Sequence, residues 1–372
     1  MSKKILITGG AGFVGSHLAD DLLARGYKVR ALDSLVSQVH GSSKRRPSYL
    51  SKEVELVVGD IRDPKVVRRA LSGIDYVAHL AAMVGVGQSM YEIEHYTCAN
   101  GTGTAVLLEA LVEHPVERLI VASSMSIYGE GLYRTPGGEC IAGAERTADQ
   151  IKRRDWEVRS IDGTSLIPMR TPETKCPALP SVYAISKYQQ ERLCMVVGQT
   201  YNIPTVALRF FNIFGKRQAL SNPYTGVLAI FASRFLNNRP PLINEDGLQR
   251  RDFVSVHDVA QACRLALEVP GAAGHVFNVG SGVPHTILEV ANKMARALGK
   301  EHIEPEITGR YRKGDIRNCF ADISLARRVL GYQPCVTLED GLIDLAEWLE
   351  SQTATDRVVE ASMELASRGL TV

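Results

Sequence analysis

No charge of either sign dominates this chain. Its 43 Lys and Arg against 41 Asp and Glu leave a formal net charge of +2, which gives no electrostatic basis for binding nucleic acid or an anionic membrane. Any basic residue that matters must therefore act locally. No stretch is apolar over the roughly 20 residues that cross a bilayer, and Met1-Ser-Lys-Lys-Ile-Leu-Ile lacks the apolar core of a signal peptide. The expected location is the cytoplasm. Paired cysteines are missing too: the seven, at 98, 140, 176, 194, 263, 319 and 335, are odd in number and include no Cys-x-x-Cys, so free thiols are expected. A length of 372 residues allows one large domain or two intimately packed ones.

What is present is alternation. Lys4 to Thr8 reads as a buried strand, followed by Gly9-Gly-Ala-Gly12-Phe13-Val14-Gly15 and an amphipathic run from Ser16 to Arg25. A strand, a glycine turn and a helix let a pyrophosphate approach the backbone, where the helix N-terminus stabilises its charge. The next strand, Lys28 to Leu32, ends in Asp33, whose carboxylate can accept both ribose hydroxyls and would repel a 2'-phosphate, so NAD is expected over NADP. After the strand Glu55 to Val58, Asp60 and Ile61 stand where the Asp60 carboxylate can meet the adenine amino group. The strand Tyr76 to Leu80 then ends in the small Ala81 and Ala82, which leave room for a cofactor. A helix from Asn100 to Glu113, a strand from Arg118 to Ala122 and the run Ser123-Ser124-Met125-Ser126 continue the pattern.

The fold class is therefore α/β: a Rossmann doubly wound parallel sheet, with ligands at the carboxyl ends of its strands, and a smaller, interleaved C-terminal α/β substrate domain. Residues 1–205 form the expected dinucleotide domain, completed by segments within 253–282, in which Phe253 to Val256 and Gly274 to Val279 return to the main sheet. Residues 131–180 read as an insertion or lid, 206–350 as the substrate domain and 351–372 as a surface tail helix without catalytic promise. The insertion offers Cys140 and Cys176 but no histidine, too few ligands for tetrahedral zinc, and no metal is expected.

Tyr183 and Lys187 lie four residues apart and so share a helix face. An ammonium there is expected to lower the phenol's pKa from about 10 and make it a usable base.

These pieces occur together with His79-Leu-Ala-Ala82, Asn100-Gly-Thr, Arg209-Phe-Phe-Asn212, Arg250-Arg251-Asp252-Phe253 and Arg312-Lys-Gly-Asp315. In that order, from Ile5 to about Glu350, the sequence resembles the extended short-chain dehydrogenase/reductase family, in particular the nucleotide-sugar epimerases typified by UDP-galactose 4-epimerase. The resemblance implies that Tyr183 is the base, Ser124 its hydroxyl partner, and Lys187 the group that holds the nicotinamide ribose. It implies NAD contacts at Gly9, Gly12, Phe13, Val14, Gly15, Asp33, Asp60, Ile61, Leu80, Ala81, Ala82, Asn100, Ser123 and Phe210. A nucleotide-diphosphate sugar is implied as substrate, held by Ser124, Ser126, Asn212, Asn222, Tyr224, Arg251 and Arg312. Homodimers in the family pair two helices per subunit; the matching helices here, Asn100 to Glu113 and Tyr183 to Val197, offer Val106, Leu107, Leu111, Leu193 and Val197.

Departures narrow the reaction. Related dehydratases place an acidic pair where this chain has Met125 and Ser126, which disfavours eliminating water. Several epimerases have a lysine where Val84 stands, and Cys319 falls where the bulk of the hexose pocket varies, so a small side chain there implies a roomy site. The insertion and the run from Gln218 to Val227 resemble a bacterial subgroup of dTDP-L-rhamnose 4-epimerases, although the cysteine pairs of some members are absent. The expected function is an NAD-dependent nucleotide-sugar 4-epimerase acting through a 4-keto sugar, with a dTDP-6-deoxyhexose such as dTDP-L-rhamnose as candidate substrate. An NAD(P)-dependent 4-reductase or dehydrogenase, a 4,6-dehydratase, and a non-enzymatic dinucleotide sensor remain the alternatives.

Overall fold

In β1 (Lys4–Thr8), Ile5, Leu6 and Ile7 are all fully buried, as expected of a parallel strand covered on both faces. The computed structural model describes residues 2–371; Met1 and Val372 lie outside it. Strands β2 (Lys28–Asp33), β3 (Glu55–Val58), β4 (Tyr76–His79), β5 (Arg118–Ser124), β6 (Thr205–Phe210) and β7 (Val276–Val279) join β1 in a seven-stranded sheet of order β7-β6-β5-β4-β1-β2-β3, with every pairing parallel.

Alternation along each strand sends side chains to two separate cores. Ile5 and Ile7 pack with Leu18 and Leu22 of α1 (Phe13–Leu23) and Val259 of the helix Val256–Glu268. Leu6 faces the other way, towards Val67, Leu107 and Leu111. Leu107 and Leu111 of α2 (Gly103–Glu113) thus belong to the internal core, while Val106, Leu193 and Val197 are partly buried against it. Of the five residues offered for a dimer face, two are already committed. The helix also begins later than Asn100, because Thr97–Thr102 forms a π-type turn.

The second lobe holds the strands Asn212–Phe214, Arg250–Ser255, Pro284–Thr286 and Asn318–Cys319, over a core of the helices Val227–Leu236, Ile287–Ala297 and Leu338–Leu349. The segment entering Phe253 therefore does not return to the main sheet. The place beside β6 is filled by β7, and Arg250–Ser255 is held elsewhere: the buried Asp252 carboxylate accepts hydrogen bonds from the backbone N–H groups of Ser281, Gly282 and Ala321.

Residues 131–180 carry a small antiparallel sheet of Leu132–Arg134, Cys140–Ile141 and Ile167–Met169. Arg146 ties this insertion to the second lobe through Glu245 at 2.7 Å, both side chains being almost inaccessible. No residue from 131 to 179 lines the main cavity, so the segment is an insertion and not a lid. The tail behaves in the opposite way: its helix, Val358–Ser367, contributes residues to the cavity wall. All seven cysteines are free. No described helix is long and apolar enough to cross a membrane.

Candidate functional site

The carboxyl ends of the central strands open into a cavity of about 740 Å³. At its β1 end, Gly12 is the N-cap of α1 with no side-chain cap bond, which leaves the first N–H groups of the helix available to an anion. A Cβ on Gly15 would stand 2.3 Å from the Gly9 carbonyl oxygen, and one on Gly9, where φ is +69°, would stand 3.0 Å from Ala81. The glycines are thus required by the closeness of turn, helix and neighbouring strand, and the cradle they leave fits a dinucleotide pyrophosphate. Asp33 closes that end: its carboxylate accepts from Ala11 N at 3.0 Å and Leu35 N at 2.9 Å, with His40 Nε2 3.6 Å away. Asp60 is gripped by Arg62 at 2.7 Å, which holds its carboxyl below the usual range.

At the other end stand the three residues with chemistry. Ser124 ends β5, and its Oγ accepts a hydrogen bond from Ser126 Oγ at 2.8 Å. Tyr183 and Lys187 lie on α3 (Val182–Thr200), whose N-cap Ser181 accepts from Ala184 N. The Tyr183 backbone N–H donates to Ser89 Oγ at 3.0 Å. Burial pushes the phenol up to about 12, and the neighbouring Ser124 hydroxyl opposes that shift. Burial pushes the Lys187 ammonium down to about 7. The expected lowering of the phenol by the ammonium is thus not what this arrangement shows. Both groups lose hydration, and the Lys187 Nζ donates to Gln190 Oε1 at 2.6 Å.

Gln190 is fixed in turn. Its Nε2 donates to Thr104 Oγ1 at 2.9 Å and to the Ala81 carbonyl at 3.3 Å. Both amide hydrogens are then used, and the oxygen faces Lys187. Sequence reasoning passed over Gln190, because an amide three residues from a lysine carries no signal of its own.

Of the residues expected to act in catalysis or to contact NAD or substrate, all but Asn100 line this cavity. Asn100 is fully buried beneath it, accepting from Met83 N at 2.7 Å and donating to Ser186 Oγ at 2.9 Å. It shapes the wall without reaching the surface. Ser123 lines the cavity, yet its hydroxyl donates to the buried Glu191, which also holds Arg209. Cys319 is fully buried with Sγ 3.8 Å from Thr171 Oγ1 and lies off the cavity, so its small size serves packing and not the hexose pocket.

On the substrate side, Asn212 Nδ2 donates to the Asp252 carbonyl at 3.1 Å. Asn222 Oδ1 accepts from Tyr224 N and Gln38 Nε2, both at 3.0 Å. Arg251 donates to the carbonyls of Ile316 and Arg317, which orient its guanidinium without neutralising it. Arg312 pairs with Asp315 at 2.6 Å. Met125 and Ser126 both line the cavity, and no acid stands at either position. Residues missed by sequence reasoning include Gln218, Arg310 and the tail residues Ala361, Ser362 and Leu365. Among the described residues, no group of three or more His, Cys, Asp or Glu side chains is placed to hold a metal ion.

Comparison with known proteins agrees with this geometry. A dTDP-L-rhamnose 4-epimerase of Burkholderia thailandensis is 34% identical over 354 residues, covering 94% of this chain and 96% of that protein. The crystal structure of a UDP-glucose 4-epimerase with UDP-glucose from Thermotoga maritima superposes with a TM-score of 0.76 at 30% identity, covering 93% of this chain and 98% of that one. A Thermus thermophilus UDP-glucose 4-epimerase in complex with NAD gives 0.74 at 31%, over 94% and 100%. The family model for the NAD dependent epimerase/dehydratase family matches residues 5–150 and 162–280. With the glycine turn, Asp33 and the Ser124, Tyr183 and Lys187 group converging on one cavity, the chain belongs to the NAD dependent epimerase/dehydratase family.

Proposed function

We propose that this protein is an NAD-dependent nucleotide-sugar 4-epimerase acting on a dTDP-6-deoxyhexose such as dTDP-L-rhamnose. One observation carries the reading: the Ser124 and Tyr183 hydroxyls stand together in the cavity that begins at the Gly9 to Gly15 turn, with Met125 and Ser126 in place of an acidic pair. NAD, when bound, supplies the hydride acceptor and donor. Gly12, Phe13, Val14 and Gly15 hold its pyrophosphate, Asp33 its adenosine ribose, and Lys187 its nicotinamide ribose.

In its phenolate form, which the positive charge of bound NAD would favour, Tyr183 takes the proton of the sugar C4 hydroxyl while the hydride from that carbon would pass to the cofactor, and Ser124 orients the hydroxyl. The same phenol returns the proton when the 4-keto sugar is reduced on its other face. Arg251, Arg312 and Asn212 grip the diphosphate; a guanidinium fork matches phosphate oxygens. The oriented, unpaired fork of Arg251 suits that task, while Arg312 would have to share its guanidinium with Asp315.

The test is direct. Denatured protein should release NAD, and the native protein should interconvert C4 epimers of dTDP- or UDP-hexoses without added cofactor and without net NADH. Strict dependence on added NADPH would sink the proposal. Tyr183→Phe should lower turnover by about 10²–10⁴ while nucleotide-sugar binding persists; equal turnover would remove Tyr183 as the base.

We also propose a cytoplasmic homodimer, paired through α2 and α3, where Ile185 and Val196 are about half exposed on the outer face. Light scattering that returns a monomer mass at micromolar concentration would refute the dimer.

A further inference from the structure

The insertion does not reach the cavity, yet it holds a segment that does. Along residues 308–312, Thr308, Arg310 and Arg312 line the cavity, while Gly309 and Tyr311 between them meet the insertion. Arg154 lies behind Gly309, 3.3 Å from where a Cβ would stand, and the Arg146 guanidinium lies over the Tyr311 ring at 5.2 Å. Arg146 is the centre of this contact. Its side chain, 2% exposed, pairs with Glu245 at 2.7 Å and with Glu130 at 3.5 Å, and it donates to the Asp315 carbonyl at 3.2 Å. Glu245 in turn locks the segment from its other edge: its N–H donates to the Arg310 carbonyl at 2.8 Å, and its carbonyl accepts from Gly309 N at 3.2 Å. With a φ of +55°, Glu245 is held in a conformation that its surroundings must impose. The tail secures the far end. The Leu370 carbonyl accepts from Lys313 N at 2.9 Å and Thr371 bridges to Arg312, and the tail itself is anchored where the Asp356 carboxylate pairs with Arg234 and Arg239 at 3.0 Å each.

The side chains so presented have charge to spare. Asp315 engages Nε and Nη2 of Arg312 and leaves Nη1 unused. The Arg310 side chain is exposed and, among the described residues, has neither a carboxylate nor a hydrogen-bond partner; only its backbone atoms are bonded. Arg251 is tied to the same stretch through the carbonyls of Ile316 and Arg317. The three guanidiniums against the one carboxylate of Asp315 leave a net charge of two, which matches the two negative charges of a nucleotide sugar's diphosphate. We propose that Arg310 is a third guanidinium for the substrate's diphosphate, and that Arg146 of the insertion is the positioning residue that presents it. The inference rests on the reading of the substrate as a nucleotide-diphosphate sugar. The insertion is then a brace for nucleotide binding and takes no part in the chemistry at Tyr183.

The probe is dTDP, whose affinity for the NAD-loaded, full-length protein calorimetry measures without any turnover. Arg310→Met should weaken dTDP by about fivefold to tenfold, the worth of one charge-assisted contact at a partly exposed site. That penalty should shrink severalfold in about 1 M salt, where exposed charges are screened. Arg146→Lys keeps a charge opposite Glu245 but gives up the flat face on Tyr311 and the bond to the Asp315 carbonyl. It should weaken dTDP by a similar factor and raise KM more than it lowers kcat. It should also leave Arg310→Met less to remove, so that the double variant falls short of the product of the two losses by at least about threefold. Where melting shows Arg146→Lys to be unfolded, Tyr311→Leu, which spares the buried ion pairs, takes its place in the same comparison. An Arg310→Met affinity within about twofold of wild type overturns the proposal, as do losses that multiply in full, which would make Arg146 a residue of general stability only. Affinities as expected without C4 interconversion would overturn the 4-epimerase reading and leave the diphosphate site standing. Interconversion with dTDP affinity indifferent to both residues would do the reverse.

Discussion

Lys187→Met should make the protein more stable at neutral pH while abolishing its activity. Lys187 is 3% exposed, and burial lowers its ammonium from 10.5 to about 7. At about 1.36 kcal/mol per pKa unit, holding this cation folded at pH 7 costs about 4–5 kcal/mol. Methionine removes that cost but leaves Gln190 Oε1 without a donor, which returns about 1–3 kcal/mol. The net gain at pH 7 is about 1–4 kcal/mol. Its pH dependence has a fixed sign, because a folded-state pKa below the unfolded value penalises the folded protein wherever the unfolded chain binds the extra proton. The penalty is absent above pH 10.5, grows as pH falls, and is complete near pH 7. Between pH 7 and 9 the advantage of the variant should therefore shrink by about 2 kcal/mol. Urea denaturation of both proteins at the two pH values, after nucleotide is removed, reads this directly. A variant no more stable than wild type at pH 7, or one with the same advantage at pH 9, refutes the reasoning.

Three further outcomes follow from contacts described above. Gly15→Ala would set a methyl 2.3 Å from the Gly9 carbonyl oxygen. It should cost about 1–3 kcal/mol of stability and strip co-purifying NAD, which chromatography of the released nucleotide measures. Asp356→Asn weakens the anchor shared by Arg234 and Arg239. Amide exchange in Val358–Ser367 should then show its opening free energy lowered by about 1–3 kcal/mol, with the central sheet unchanged. Gln190→Leu removes the hydrogen-bond acceptor of the buried ammonium, worth about 1.5–3 kcal/mol to a charged donor. It should move the lysine-dependent limb of the kcat profile to lower pH, whereas Gln190→Glu should move it to higher pH.

The features legible in the sequence are those fixed by local chemistry. The turn from Gly9 to Gly15 declares itself because no other residue fits the approach of turn, helix and strand, and Asp33 follows from its place at a strand end. Tyr183 and Lys187 are legible as a pair because helical spacing brings them together. Their protonation is not, since dehydration of each group depends on packing from distant segments. Asn100 marked the right region but the wrong layer: its amide serves Met83 and Ser186, partners that only the fold brings near. The strand entering Phe253 has the same apolar texture as one of the central sheet, and which sheet it joins is decided by Asp252 bonding to residues 281, 282 and 321. The tail was misjudged for a similar reason. Its charged, alanine-rich composition describes the outer face, while the inner face is defined by what it covers.

The placement of that last helix bears on how the protein can be handled. Leu370 and Thr371 are tied to Lys313 and Arg312, and Thr371 lines the cavity, so an affinity tag or fusion partner joined at the carboxyl end would leave from beside the cavity and pull on the contact of Leu365 with Gly87. Lys4 begins the first strand at its amino end, across the sheet from the ligand side. A fusion at that end leaves the cavity clear, and activities measured with the two tag placements should differ for this reason alone.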